Sequence, residues 1–273
     1  MKTMDFAYHL SRYLGCYLAG QRNFSANTVA AYRDAFKLLL KYFRDKKGIT
    51  PDKLRIADFN KAIVLEYLDW LKNERSCGRS TLQQRLTILR SFFAYLQAEA
   101  PEHIMLCQNI LRLESDRKTT VPPMNYLSFE AIKAILALPN QHVRQGRRDL
   151  VLLTLLYDSG ARVQELADLR VRDLRLASPS GVNIFGKGSK WRFVPLMTKT
   201  AELLGEYLNE NKLNVPEAHE RQLFTNKYGH KLTRVGIAYI VDKYVTEAKN
   251  ANPTLCFGTV TPHTFRHSKA MHL

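Results

Sequence analysis

A chain of 273 residues is long enough for one large or two ordinary domains, and 45% hydrophobic with 24% charged residues excludes an unfolded polymer. Lys and Arg total 41 against 25 Asp and Glu, a formal charge of +16. An excess of that size points to a polyanionic partner, of which nucleic acid is the commonest. There is no signal peptide and no long apolar run, so a cytoplasmic protein without membrane contact is expected. Cys16, Cys77, Cys107 and Cys256 show no metal-ligand spacing and no Cys-x-x-Cys pair, and are expected to pack as small hydrophobes.

The N-terminal part reads as helices. One is expected over Asp5 to Leu18. Ser25 can cap the next, where Val29, Tyr32, Phe36, Leu39, Leu40 and Phe43 recur at helical spacing up to Lys46-Lys47-Gly48. Another starts near Asp58 and stops near Cys77-Gly78. Ser80 and Gln83 form a capping-box pattern ahead of Leu82, Leu86, Leu89, Phe93 and Leu96, and Pro101 ends that run. These four helices predict a small bundle over 1–113. Residues 114–126, charged and containing Pro122-Pro123, read as a linker.

The part over 127–273 is mixed. Ser128 caps a short helix through Leu138, Arg148 to Tyr157 reads as a buried helix, and another begins near Ala161 after Gly160. Val182–Phe185 and Trp191–Val194 read as strands joined by a Gly186-Lys187-Gly188-Ser189-Lys190 turn. Helices follow at Thr200–Asn211 and Thr233–Lys249. Thr261 and Pro262 open the last one, as cap and favoured first residue. The expected class is mainly α, a helical bundle followed by an α+β domain with a small antiparallel sheet.

Three clusters carry chemistry. His263 and Arg266 are three apart on a helix and share a face, in a first turn where backbone donors and the helix dipole favour an anion. A guanidinium offers bidentate donors to phosphate, and an imidazole moves a proton near neutral pH. Arg162 follows Gly160 at another helix start, with Glu165 one turn on to hold it. Lys187 lies between glycines on the hairpin, with Lys190 and Arg192 beside it as phosphate contacts. Each motif alone has an ordinary structural reading: a surface pair, an i,i+3 ion pair, a turn lysine. Their order is what suggests a pocket for a phosphodiester. There is no obvious cluster of metal-binding carboxylates or cysteines.

In that order the sequence resembles the tyrosine recombinase, or phage integrase, family. The matching residues run Tyr157-Asp158-Ser159-Gly160-Ala161-Arg162-Val163-Gln164-Glu165-Leu166, then Gly186 to Leu196, then Thr261-Pro262-His263-Thr264-Phe265-Arg266-His267. Ser25 to Arg33 also looks like the opening of that family's SAM-like core-binding domain. The resemblance implies that Arg162 and Arg266 hold the non-bridging oxygens of a scissile phosphate. It implies that Lys187 protonates the departing 5′ oxygen, that His263 assists at the attacking hydroxyl, and that Glu165 orients the pocket. His267 is expected to pack rather than act. No cofactor and no metal is implied. The partner is a double-stranded DNA recombination site. The bundle serves as the other half of a clamp: Asn27, Thr28, Arg79, Ser80 and Arg85 are its expected DNA contacts, alongside Arg22, Lys37, Lys41 and Arg90. A homotetramer on DNA is implied for a full-length parent and a monomer for this chain when free.

The family's nucleophile is a tyrosine after the His-x-x-Arg motif, whereas all 13 tyrosines here precede His263. The expectation is therefore a truncated piece of a longer enzyme, which grips DNA without cutting it. A non-catalytic DNA-binding fragment or regulator, and a type IB topoisomerase-like enzyme, are the competing readings. Mixed with nicked recombination-site DNA, residues 1–273 are expected to form no denaturation-resistant adduct. A covalent adduct on a denaturing gel contradicts that.

Overall fold

The structure is a computed structural model that describes residues 5–114, 125–186, 188, 190–255 and 258–273. Two compact units emerge, Met1–Thr120 and Val121–Leu273. Lys187, Ser189, Cys256 and most of the expected linker (115–124) lie outside the described residues.

The first unit is built from α1 (Asp5–Arg12), α2 (Ala26–Lys47), α3 (Lys61–Asn73), α4 (Arg79–Glu99) and α5 (Ile104–Leu111). The α-helix expected to Leu18 ends at Arg12 and winds on as a π-helix over Tyr13–Gln21. Ser25 caps α2, its Oγ accepting from the Thr28 N–H, and Gly48 closes that helix in the left-handed region at φ +66°. The Ser80–Gln83 capping box does not form. Gly78 is the N-cap and Arg79 already the first helical residue, which puts Ser80 inside the first turn. Pro101 does end α4, but it also opens a 3₁₀ turn that leads into α5, a helix the sequence reading lacks. Cys107 and Ile110, three apart, are the periodic signal for it; both are buried.

Aromatic residues fill this unit's core. Phe92 lies edge-on to Phe6, Tyr13 and Phe36 with ring centroids 5.2–5.6 Å apart, and Phe59 meets Phe43 at 4.9 Å and Phe93 at 5.4 Å. Tyr13 is fully buried, and its hydroxyl donates to Ser91 Oγ at 2.8 Å, so the ring's polar end is satisfied inside the cluster. Trp70 is buried beside Tyr42 and Tyr67. The packing expected of the cysteines holds for Cys107 and fails for Cys16, which is exposed.

The second unit runs α6 (Phe129–Ala137), α7 (Arg144–Ser159), α8 (Val163–Asp168), β1 (Leu174–Arg175), β2 (Gly181–Gly186), β3 (Lys190–Pro195), α9 (Thr198–Glu210), α10 (Arg234–Ala251) and α11 (Pro262–Met271). Ser128 and Thr261 are N-caps as expected from the sequence, and Thr233, expected as the first residue of its helix, is the N-cap of α10. Helix α7 is the spine: Leu152, Leu153, Leu155 and Leu156 are all fully buried, so it is apolar on more than one face. It starts four residues earlier than expected. Its polar first turn is held from outside, with Arg144 on Asn211 and Arg147 on Glu210. The sheet is antiparallel in the order β1-β2-β3, with Val182↔Val194, Ile184↔Arg192 and Phe185↔Trp191 as cross-strand partners. Strand β1 spans two residues, too short for a periodic signal. The inner face places Val182 and Ile184 in the core, while Phe185 and Trp191 stay exposed on the outer face.

Phe92 is fully buried and meets the rings of Phe6, Tyr13, Phe36, Phe93 and Tyr95, so Phe92→Ala is expected to destabilise that unit by about 3–5 kcal/mol. Urea unfolding followed by circular dichroism reads this; a loss below about 1 kcal/mol contradicts the packing.

Candidate active site

Helix α7 ends at Gly160, whose φ of +54° is the left-handed closure that a residue without Cβ adopts at no cost. The chain reverses there, and Arg162 becomes the N-cap of α8 with extended backbone. Glu165, one turn on, reaches back: its Oε2 accepts the Arg162 backbone N–H at 2.8 Å and its Oε1 accepts Arg162 Nη1 at 2.9 Å. Glu165 thus caps the helix and anchors the guanidinium together.

The same carboxylate holds a second guanidinium. Arg192, on the inner face of β3, donates Nη2 to Glu165 Oε2 at 2.6 Å and Nη1 to Oε1 at 3.2 Å. Arg192, expected from the sequence to meet DNA phosphate, is turned inward by the strand onto Glu165, with its side chain 36% exposed. Gly186 makes room for this pair. A Cβ there would lie 2.5 Å from Arg192 Nη1 and 3.1 Å from Glu165 Oε1. Lys190, on the same strand face two residues nearer the tip, is exposed. Lys187 falls outside the described residues, between Gly186 and its cross-strand partner Lys190.

Helix α11 supplies the remaining groups. Arg266 Nη1 donates to the carbonyl of Gly160, two residues before Arg162. Burial, and then the field of Arg162, lowers the Arg266 pKa, though a guanidinium remains charged at neutral pH. His263 is in the first turn and meets His267 edge-on at 4.3 Å. Its pKa is lowered by partial burial first, then by His267, Arg266 and Arg162, so the neutral ring is favoured at pH 7. Burial acts to raise the Glu165 carboxyl, but hydrogen bonds from Arg192 and Arg162 overcome it and hold it at about 2.

Arg162, Glu165, His263 and Arg266 are therefore one cluster, and Arg192 joins it. Three guanidiniums against one carboxylate leave a net positive pocket that includes two helix N-termini, an arrangement suited to an anion. Asp158 and Lys269 also belong here and carried no role in the sequence reading. Among the described residues no group of three His, Cys, Asp or Glu is placed to hold a metal ion, and no helix is long and apolar enough to cross a membrane.

The contacts expected in the first unit separate by exposure. Asn27, Arg79 and Ser80 are exposed at helix starts. The Thr28 hydroxyl is 2.9 Å from Ser25 Oγ and serves the cap. Arg85 is half-buried and turns toward the Ala31 carbonyl, 3.5 Å away, which takes its head away from solvent.

The site predicts a pH signature. The folded Glu165 pKa is below its unfolded value, so its contribution to stability is present above the unfolded value and is lost as pH falls toward about 2. Glu165→Gln is expected to lower stability by about 1–2 kcal/mol at pH 7, a figure discounted for the half-exposed arginines. The gap to the parent should close on acidification below about pH 4. A gap independent of pH, read by urea unfolding, contradicts the ion-pair account.

Comparison with known proteins agrees over both units. Residues 125–273 match the phage integrase family, and residues 11–100 match the phage integrase N-terminal SAM-like domain. The putative integrase/recombinase y4rC of Sinorhizobium fredii is 31% identical, over 94% of this chain and 76% of its own length. The tyrosine recombinase XerD of Oceanobacillus iheyensis is 32% identical, over 94% of this chain and 82% of its own. Among solved structures, the Tn1549 transposon integrase in complex with circular intermediate DNA shares the fold, with a TM-score of 0.71 at 16% identity over 96% of this chain and 86% of that one. So does the XerH site-specific recombinase bound to its difH substrate, with a TM-score of 0.69 at 22% identity over 91% of this chain and 69% of that one. The order Arg162…His263-x-x-Arg266, the geometry that unites those residues and the two domain matches lead to one conclusion: the chain belongs to the phage integrase family of tyrosine recombinases.

Proposed function

We propose that the cluster around Glu165 is the phosphate-gripping half of a site-specific DNA recombination centre, which works by strand cleavage and rejoining through a 3′-phosphotyrosyl intermediate. The observation that carries this is the meeting of Arg162 and Arg266 at the Gly160–Arg162 corner, one bound through Glu165 and the other on the Gly160 carbonyl. Two guanidiniums fixed before the substrate arrives can take the non-bridging oxygens of one phosphate and stabilise the charge that builds up in a pentacoordinate transition state.

His263, held neutral, accepts the proton of the attacking tyrosyl hydroxyl as its oxygen bonds to phosphorus. Lys187 donates a proton to the 5′ oxygen as its bond to phosphorus breaks. Rejoining reverses both transfers, so the bond energy is conserved in the phosphotyrosyl ester and no nucleotide cofactor is consumed. All 13 tyrosines of the sequence precede His263, and the nucleophile's role is assigned to none of them. Glu165 acts through the arginines it positions. Asn27, Arg79, Ser80 and Lys190 contribute contacts to the DNA backbone, and strand exchange takes place in a homotetramer on paired sites. The relatives' names, integrase and recombinase, favour strand exchange over relaxation by a topoisomerase-like enzyme.

The test is strand exchange on a plasmid bearing the DNA that flanks the coding sequence, with the protein expressed from its uninterrupted reading frame. Arg162→Ala and Arg266→Ala are each expected to lower exchange roughly 100- to 1,000-fold. Duplex-DNA affinity should fall by less than about 10-fold, with a steep salt dependence kept in both variants. Equal losses in binding and exchange, or a flat salt dependence in the parent, would overturn the reading.

A further inference from the structure

Behind the anion-facing groups lies a second charged pair, where α7, α9 and α11 meet. Asp158 is only 3% exposed. Its Oδ1 accepts Lys269 Nζ at 3.0 Å and its Oδ2 accepts the Met197 backbone N–H at 2.8 Å. The Lys269 side chain is itself 16% exposed, with its ammonium 5.6 Å from the centre of the Tyr157 ring. A buried pair of this kind contributes little to net stability, because desolvation offsets most of its attraction. Its place in the fold suggests a different use.

We propose that Lys269 and Asp158 are positioning residues: their ion pair sets the rotation of α11 and thereby aims His263 and Arg266 at Arg162. The inference rests on the recombinase reading for its purpose, though not for its geometry. Residues 158, 160 and 162 form one short stretch with three tasks. Asp158 receives Lys269, the Gly160 carbonyl receives Arg266, and Arg162 follows at once as the N-cap of α8. Arg266 and Lys269 are three apart and share a face of α11. The Lys269 stem crosses directly over Gly160, where an added Cβ would lie 3.8 Å from Lys269 Cγ. Helix α11 therefore holds the corner before Arg162 at two successive points. Losing the 158–269 pair leaves the Arg266 bond to hold that corner alone.

The remaining anchors of α11 lie at other points. Phe265 fills the core, Ser268 Oγ accepts the Leu127 N–H at 2.8 Å, and the C-cap His272 stacks on Phe129 at 3.9 Å with its Nδ1 2.9 Å from the Tyr157 hydroxyl. They fix the depth and the C-terminal end of the helix. Only the 158–269 pair, among the described polar contacts of α11, lies one turn from Arg266 on the same face.

The groups that face His263 are His267 and Arg266 from its own helix and Arg162 from the start of α8; with burial, they keep its pKa low. Turning α11 takes the ring out of that environment. The experiment is a proton NMR titration of the histidine Cε1 signals in the free 273-residue chain, with His263 assigned by His263→Gln. Lys269→Met and Asp158→Asn are both expected to raise the His263 pKa, and Lys269→Arg to leave it in place. Direct charge effects alone give opposite signs, because removing a cation raises the pKa and removing an anion lowers it. Shifts of opposite sign, or no shift in either variant, overturn the proposal. If a single variant does not fold, the double variant Asp158→Asn/Lys269→Met, which leaves no unpaired charge, is expected to show the raised value; an unshifted value there overturns it equally. Raised values in a protein whose parent carries out no strand exchange would sink the recombinase reading and leave the positioning role standing.

Discussion

Everything in the site depends on one carboxylate being shared. Three guanidiniums crowd the corner after α7, and like charges at such separations repel unless an anion lies between them. Glu165 is that anion, and it is 93% shielded from solvent, with a side-chain exposure of 7%. It has no slack: Oε1 accepts from both guanidiniums, and Oε2 accepts from Arg192 and from the backbone N–H of Arg162. The helix start, the orientation of Arg162 and the docking of the β2–β3 hairpin are consequences of the same few hydrogen bonds. This coupling makes the site a property of the fold rather than a set of side chains placed on it.

The two units reach rigidity by different routes. The first is locked by a cluster of aromatic rings in edge and tilted contacts. The second wraps shorter helices around α7, whose buried leucines leave only its ends free for polar work. That is where the work is done: the C-terminal end of α7 offers the Gly160 carbonyl and Asp158, both of them acceptors, to two cations of α11. Cations belong at a helix C-terminus on electrostatic grounds, and the anion-facing groups are supported from behind by that preference.

Much of this could be read in the sequence because the signals were local. Ser25, Ser128, Thr233 and Thr261 announced helix starts that the structure keeps, and Arg162 with Glu165 announced their own pairing by spacing. The failures also have local causes. Helix α5 hid behind Pro101, which ends one helix and begins the approach to the next. The Ser80–Gln83 pattern lost to a start at Gly78, two residues earlier. Arg192 looked like a surface cation because nothing in the strand pattern states which carboxylate lies under its inner face. Asp158 and Lys269 are 111 residues apart, and no motif links them. Long-range ion pairs leave no period in a sequence, so the support of the site was far less legible than its chemistry.

The two tryptophans of the chain fall one in each unit, in opposite surroundings. Trp70 is 7% exposed among tyrosines in the first, and Trp191 is 58% exposed beside Phe185 on the hairpin of the second. Their emission should differ accordingly, blue-shifted for the buried indole and red-shifted for the solvated one. Each unit thus carries its own built-in optical label. Quenching by a small solute such as acrylamide would act mainly on Trp191, and loss of that quenching on adding a duplex would report contact at the hairpin without any dye or added probe.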